Sequence, residues 1–203
     1  LQALEGMRET LGSRHPHTLM SVCNLGALLK DKGDLTAAEP LFREALDVQR
    51  ETLGGRNPNT LASISNLGSL FIAKDDLAAA EPLYREVLQV QRGTLGNRHP
   101  ATLTSTNTLG LFLKCKGDLA AAEPLFREAL EVQRETLGSR HPSTLWSLGS
   151  VLQDKGDLAA AEPLFREALE VRRETLGNRH PDTLTSINNL GLLLKCKGDL
   201  AAA

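Results

Sequence analysis

The sequence predicts an all-α fold, a solenoid of stacked antiparallel helix pairs, and two observations carry that expectation. All nine prolines fall on two tracks: Pro16, Pro58, Pro100, Pro142 and Pro181 on one, Pro40, Pro82, Pro124 and Pro163 on the other. Each track advances by 42 residues until its last interval, which drops to 39. A fixed period in this range marks an array of one supersecondary unit. The second observation is composition. Of the 203 residues 41% are hydrophobic but only 3% aromatic, so Ala and Leu must form a closely packed helical core.

One unit runs from Arg98 to Gly138 and contains two helical patterns. The first, Pro100 to Lys116, places Leu103, Leu109 and Leu113 at helical spacing. Pro100 suits the first helical position, where a missing N–H is no loss, and His99 stands at the N-cap. The second unit has Asn57 there, a better cap, which supports the assignment. Gly117 ends the first helix, and Asp118 can cap the next.

The second pattern, Leu119 to Leu137, aligns Ala122, Phe126, Ala129, Leu130 and Leu137 on one stripe. Its opposite face carries Glu123, Arg127 and Glu131 at i, i+4 steps. The same ladder recurs as Glu39, Arg43 and Asp47, and as Glu162, Arg166 and Glu170. Gly138 then stops the helix. Pro124 and its equivalents sit where a proline removes a helical hydrogen bond, so this helix either bends there or starts later than its cap suggests. Gly26, Gly68, Gly110, Gly149 and Gly191 lie inside the first helices, where glycine costs about 1 kcal/mol against alanine. Their recurrence predicts close approach of the second helix.

The run Leu109, Gly110, Leu113, Gly117, Leu119, Ala122, Phe126 and Ala129 resembles the tetratricopeptide repeat, with Ala122 and Ala129 at its small sites and Phe126 at its aromatic one. The period exceeds the usual 34 residues. Together with the linking Leu-Gly-x-Arg-His-Pro and the Ala-Glu-Pro-Leu-Phe/Tyr-Arg-Glu-Ala-Leu run, it is similar to the kinesin light chain variety, over the whole chain. The resemblance implies a right-handed superhelical solenoid. Residues 1–203 are then expected to form one array, a fragment of a longer one. Residues 1–12 would be the second helix of a preceding repeat; 15–54, 57–96, 99–138 and 141–177 full repeats; and 180–203 an incomplete one.

The resemblance also implies that the first helices line a concave groove. Inward positions lie two and three residues before the internal glycine, then one and four after it. They include Asn24 and Lys30 in the first unit, Asn66 and Ile72 in the second, and Asn107, Thr108 and Lys114 in the third. The fourth presents Trp146 and Ser147, the fifth Asn188, Asn189 and Lys195. Asn24, Asn66 and Asn189 match the Asn-Leu site that kinesin light chains place in their groove. Amides carry both donors and acceptors, so a row of them can pair with an extended peptide backbone, while the lysines attract acidic residues. The alternative is a merely solvated helix face. Thr108 and Ser147 interrupt the row.

The fourth unit lacks three residues between Pro142 and Gly149, almost one helical turn. It also holds the only tryptophan. Trp146 either anchors a peptide side chain from the groove or packs over the gap left by the missing turn.

Other chemistry finds little support. His15, His99, His141 and His180 come one per unit, roughly 10 Å apart in a regular stack, too far to share a zinc ion. They read as caps; no metal and no cofactor are expected. No phosphate-binding glycine loop, His-Glu-x-x-His or Gly-x-Ser-x-Gly occurs, so no catalysis is expected. The net charge of -2 lacks the basic excess that nucleic acid requires. No apolar run approaches the roughly 18 residues of a membrane span. Cys23, Cys115 and Cys196 form no Cys-x-x-Cys pair, and free thiols without an Asn-x-Ser/Thr sequon suit a reducing, cytoplasmic setting. A true kinesin light chain would be microtubule-associated. The expected function is a protein-interaction scaffold that binds an acidic, extended partner peptide, as a cargo adaptor does. The rival is a regulatory arm of a larger signalling ATPase or protease whose catalytic domain lies elsewhere.

Overall fold

The computed structural model describes residues 2–137 and 141–198. Among them are ten α-helices and no strand: α1 (Gln2–Leu11), α2 (Pro16–Asp31), α3 (Leu35–Leu53), α4 (Pro58–Ala73), α5 (Leu77–Leu95), α6 (Pro100–Lys116), α7 (Leu119–Leu137), α8 (Pro142–Asp154), α9 (Leu158–Leu176) and α10 (Pro181–Lys197). The helix stop expected at Gly138 lies outside the described residues, as does 199–203. The chain forms two compact units, Leu1–Thr94 and Leu95–Ala203.

Each first helix begins as its sequence dictates. Pro16, Pro58, Pro100, Pro142 and Pro181 occupy the opening turn. The Nδ1 of His15, His99 and His180 accepts a backbone N–H two residues on, at 3.3, 3.1 and 3.2 Å. Asn57 makes the same bond at 2.9 Å, the tighter cap its side chain favours. His141 makes no such bond. Gly117 closes α6 in the left-handed region, φ 88°, and Asp118 Oδ1 accepts the Ala121 N–H at 3.0 Å to open α7. Asp34, Asp76 and Asp157 repeat that cap.

The second helices therefore start where their caps place them and run through Pro40, Pro82, Pro124 and Pro163. A proline there deprives the carbonyl four residues earlier of its donor. Those carbonyls belong to Thr36, Ala78, Ala120 and Ala159, all exposed, so water can replace the lost N–H.

Packing within each pair is glycine against ring. A Cβ placed on Gly26, Gly68, Gly110 or Gly149 would lie 3.0, 3.1, 2.8 or 2.9 Å from the ring of Phe42, Tyr84, Phe126 or Phe165. These rings are almost fully buried. Burying each contributes about 1.5–3 kcal/mol, which outweighs the roughly 1 kcal/mol helical cost of glycine. The expected stripe of α7 is buried at Ala122, Phe126, Ala129 and Leu130; the side chain of Leu137 lies outside the described residues.

Successive pairs are joined by ions. In the first unit Arg8 pairs with Glu44 at 2.7 Å and Arg50 with Glu86 at 2.8 Å; in the second, Arg134 meets Glu167 at 3.2 Å. The i, i+4 ladder also reaches across repeats. Glu39 holds Arg43 of its own helix at 2.7 Å and Lys74, one repeat on, at 2.5 Å. Glu123 holds Arg127 and Lys155, and Glu162 holds Arg166 and Lys197, in the same way.

Candidate functional site

The candidate site is built on the face of the first helices, within each unit separately. In the first unit, α2 and α4 present Asn24, exposed, and Asn66, half-buried. Lys30 does not extend freely: its Nζ donates to Ser69 Oγ at 2.7 Å, tying the end of α2 to α4. Cys23 Sγ lies 3.5 Å from Ser63 Oγ. Burial pushes the Cys23 thiol above its ordinary value, and the Ser63 hydrogen bond opposes that only in part.

In the second unit, Asn107 Nδ2 donates to Thr144 Oγ1 at 3.3 Å, while its Oδ1 is buried without a partner. Lys114 repeats the Lys30 arrangement, donating to Ser150 Oγ at 2.6 Å and pairing with Asp154 at 3.4 Å. Asn188 and Lys195 on α10 are exposed and Asn189 is half-buried. Trp146 is half-buried, its ring centroid 4.4 Å from that of Phe165 and inclined at 41°. The indole thus leans on the aromatic residue of its own repeat. Helix α8 has 13 residues where α6 has 17, and the Trp146–Phe165 contact sits beside the missing turn.

Asn66, Asn189 and Trp146 are half-buried, and the other sequence positions divide into two kinds. Asn24, Asn188 and Lys195 face solvent, whereas Lys30, Asn107 and Lys114 are engaged with the next first helix. Ser63, Ser69, Thr144 and Ser150 are the partners whose role sequence reading missed. The signal was present: each lies about one repeat after the residue it holds, with separations of 36 to 40. A second group went unread as well. Gln49 and Gln133 are 6% and 5% exposed, and with Gln91 they bury a side-chain oxygen that has no partner. They recur seven residues after the rings of Phe42, Tyr84 and Phe126, whereas Arg172 stands seven residues after Phe165.

The first unit also contains a cavity of about 500 Å³ between the beginnings of α2 and α4 and the end of α3. Met20, Cys23, Leu53, Ser63 and Asn66 are among its walls, with Gln49.

Family models of the tetratricopeptide repeat match residues 1–51, 20–92, 59–135, 102–150 and 143–203, the whole chain. The chain belongs to the tetratricopeptide repeat family. No curated protein matches it. Two crystal structures of a kinesin light chain-like protein with nearly identical TPR-like repeats, from Podosopora anserina, are similar at 28% identity. One of them, a single-substitution variant, aligns with TM-score 0.78 over 91% of this chain and 88% of that one; the other aligns with TM-score 0.77 over 91% and 89%. BtubC from P. vanneervenii shares the fold, with TM-score 0.80, 24% identity and coverage of 98% and 82%. The fold class is therefore the all-α tetratricopeptide repeat, of the kinesin light chain-like kind. Such repeats are generally protein-interaction scaffolds and typically non-catalytic. Among the described residues, no helix is long and apolar enough to cross a membrane.

Proposed function

We propose that this tetratricopeptide array holds an extended peptide segment of a partner protein along the face of its first helices, as a cargo adaptor of the kinesin light chain kind would. The observation that carries the reading is the amide row. Asn24 and Asn66 in the first unit and Asn189 in the second occupy one repeat position, two residues before the internal glycine. Asn24 is exposed and the other two are half-buried, so each amide keeps access to a ligand. A peptide backbone needs alternating donors and acceptors, which an amide supplies without reading side chains. The partner segment is acidic: Lys195 is exposed, and Lys30 and Lys114 stand at the equivalent repeat position, each donating to a serine hydroxyl. The setting is cytoplasmic, where an adaptor meets its partners.

The test is comparative pull-down. Asn24, Asn66, Asn188 and Asn189 are changed together to Ala, and circular dichroism first establishes that the helices are intact. Partners recovered by the parent protein are then expected to fall at least about tenfold, the loss of roughly one net hydrogen bond or more. Undiminished recovery would sink the amide-row reading.

A further inference from the structure

We propose that α10 is a docking site for α1 of a second copy of this chain, so that a first helix of one molecule and a second helix of another complete a repeat between them. The contact uses none of the amide row and stands apart from the peptide reading.

The α10 side comes first. An inner first helix lies between two second helices: α2 packs on α1 and α3, and α8 on α7 and α9. Helix α10 packs on α9, the second helix before it. Two residues register the difference. The leucine three places after the opening proline is buried in four first helices, as Leu19, Leu61, Leu103 and Leu145, but Leu184 is 52% exposed. The residue six places after that proline is buried as Val22, Ile64, Thr106 and Leu148, but Ile187 is 39% exposed. A single exposed leucine is ordinary; what marks these two is that every equivalent is covered. Leu192 is exposed as well, but so is Leu111 at the same position of α6, so that exposure belongs to the position. Val22 shows what the cover is. It clusters with Leu4 of the second helix before it and Ala45 of the one after it.

Helix α1 carries the features that this cover requires. It has the Ala-Leu at 3–4 and the Arg-Glu-Thr-Leu at 8–11 that α3 has at 45–46 and 50–53. Towards α2 it already acts as a preceding second helix, with Arg8 holding Glu44 as Arg50 holds Glu86. Its other side is less covered than in its equivalents: Met7 is half-buried where Gln49 and Gln133 are buried. Charge then selects the partner. The arginine before each opening cap pairs with the glutamate 37 residues on, Arg14 with Glu51 and Arg98 with Glu135. Where Gly93 replaces that glutamate, Arg56 has no ion pair among the described residues. Arg179 holds the arginine position before α10, and Glu9 holds the glutamate position in α1. Both are exposed and neither is ion-paired among the described residues. Seated on α10 as α3 is seated on α2, α1 of a second copy covers Leu184 and Ile187 and brings Glu9 to Arg179. The two sides are different patches, so the contact is heterologous and each copy offers both.

The test is sedimentation velocity of the full chain from about 1 to 200 μM, where an interface of this modest kind is populated. Reversible association is expected. Leu184→Asp, at an exposed position, should weaken it at least about tenfold. Glu9→Arg and Arg179→Glu should each weaken it about fivefold, and the double exchange should restore it. Circular dichroism first establishes that each variant keeps its helices. Leu184→Asp keeps its α1 side and Glu9→Arg its α10 side, so at a concentration where neither associates alone their mixture should form a 1:1 dimer that grows no further. The proposal is overturned by a chain that stays monomeric throughout, by association unchanged in Leu184→Asp, by a double exchange no better than its singles, or by a mixture that behaves as its separate parts.

Discussion

At the scale of single residues, the same amino acid does opposite things at two places. Gly110 faces the buried Phe126 ring at 2.8 Å, so a methyl group there must displace a ring that has nowhere to go. Gly93, inside α5, has nothing within 4 Å. Gly110→Ala is therefore expected to destabilise by about 1–3 kcal/mol through overpacking, whereas Gly93→Ala should stabilise by about 0.5–1 kcal/mol through helix propensity. Urea unfolding followed by circular dichroism measures both, and shifts of the same sign in the two variants would refute the glycine-against-ring account. The recurring glycine was legible in the sequence as a packing site because its ring partner recurs with it. Trp146 was not legible in this way. Its direction depends on the phase of a helix that is three residues short, and only the assembled α8–α9 pair shows the indole resting on Phe165.

At the scale of elements, what could be read in advance was local and what could not was remote. A cap such as Asn57 bonds an N–H only two residues away, and Arg127 reaches Glu123 four residues back on its own helix. The second cation on each glutamate comes from some 32 to 35 residues on, so it exists only once repeats are stacked in register. Hydrogen bonds from Lys74, Lys155 and Lys197, then from the arginines, hold Glu39, Glu123 and Glu162 below the ordinary carboxylate value of 4.5. A carboxylate whose folded value is depressed stabilises the fold above its unfolded value and loses that contribution as pH falls through the folded one. The urea midpoint should therefore hold steady from neutral pH down to about 5 and decline below about 4.5. A protein with Glu39, Glu123 and Glu162 all changed to Gln should start lower at neutral pH and decline less steeply. Added salt should narrow the difference, because these side chains remain partly exposed. Parallel acid limbs in the two proteins would show that the triads do not set the register.

At the scale of the whole molecule, the described side-chain hydrogen bonds that join repeats within each unit reach no further than the neighbouring repeat: some span 32 to 40 residues, others only 6 to 14, where a second helix meets the first helix that follows it. Stability in such an array is a sum of repeat terms and nearest-neighbour junction terms. The repeats are not equivalent in that sum. The third has a capped first helix of 17 residues; the fourth has one of 13 residues whose His141 makes no cap bond. A lost cap costs about 1 kcal/mol, and the missing turn removes apolar contact with its neighbours. Against this, Trp146 adds an aromatic contact worth about 0.5–1.5 kcal/mol beyond the area it buries. The balance favours the longer repeat. Duplicating residues 99–138 in place should therefore raise the urea midpoint more than duplicating 141–177, while both insertions raise the denaturant dependence with the added surface. Equal midpoints in the two insertions would mean that the tryptophan fully offsets the shortened helix. In that case the three-residue deletion is neutral for stability, and Trp146→Ala should destabilise the fourth repeat by about as much as the missing turn and cap would have.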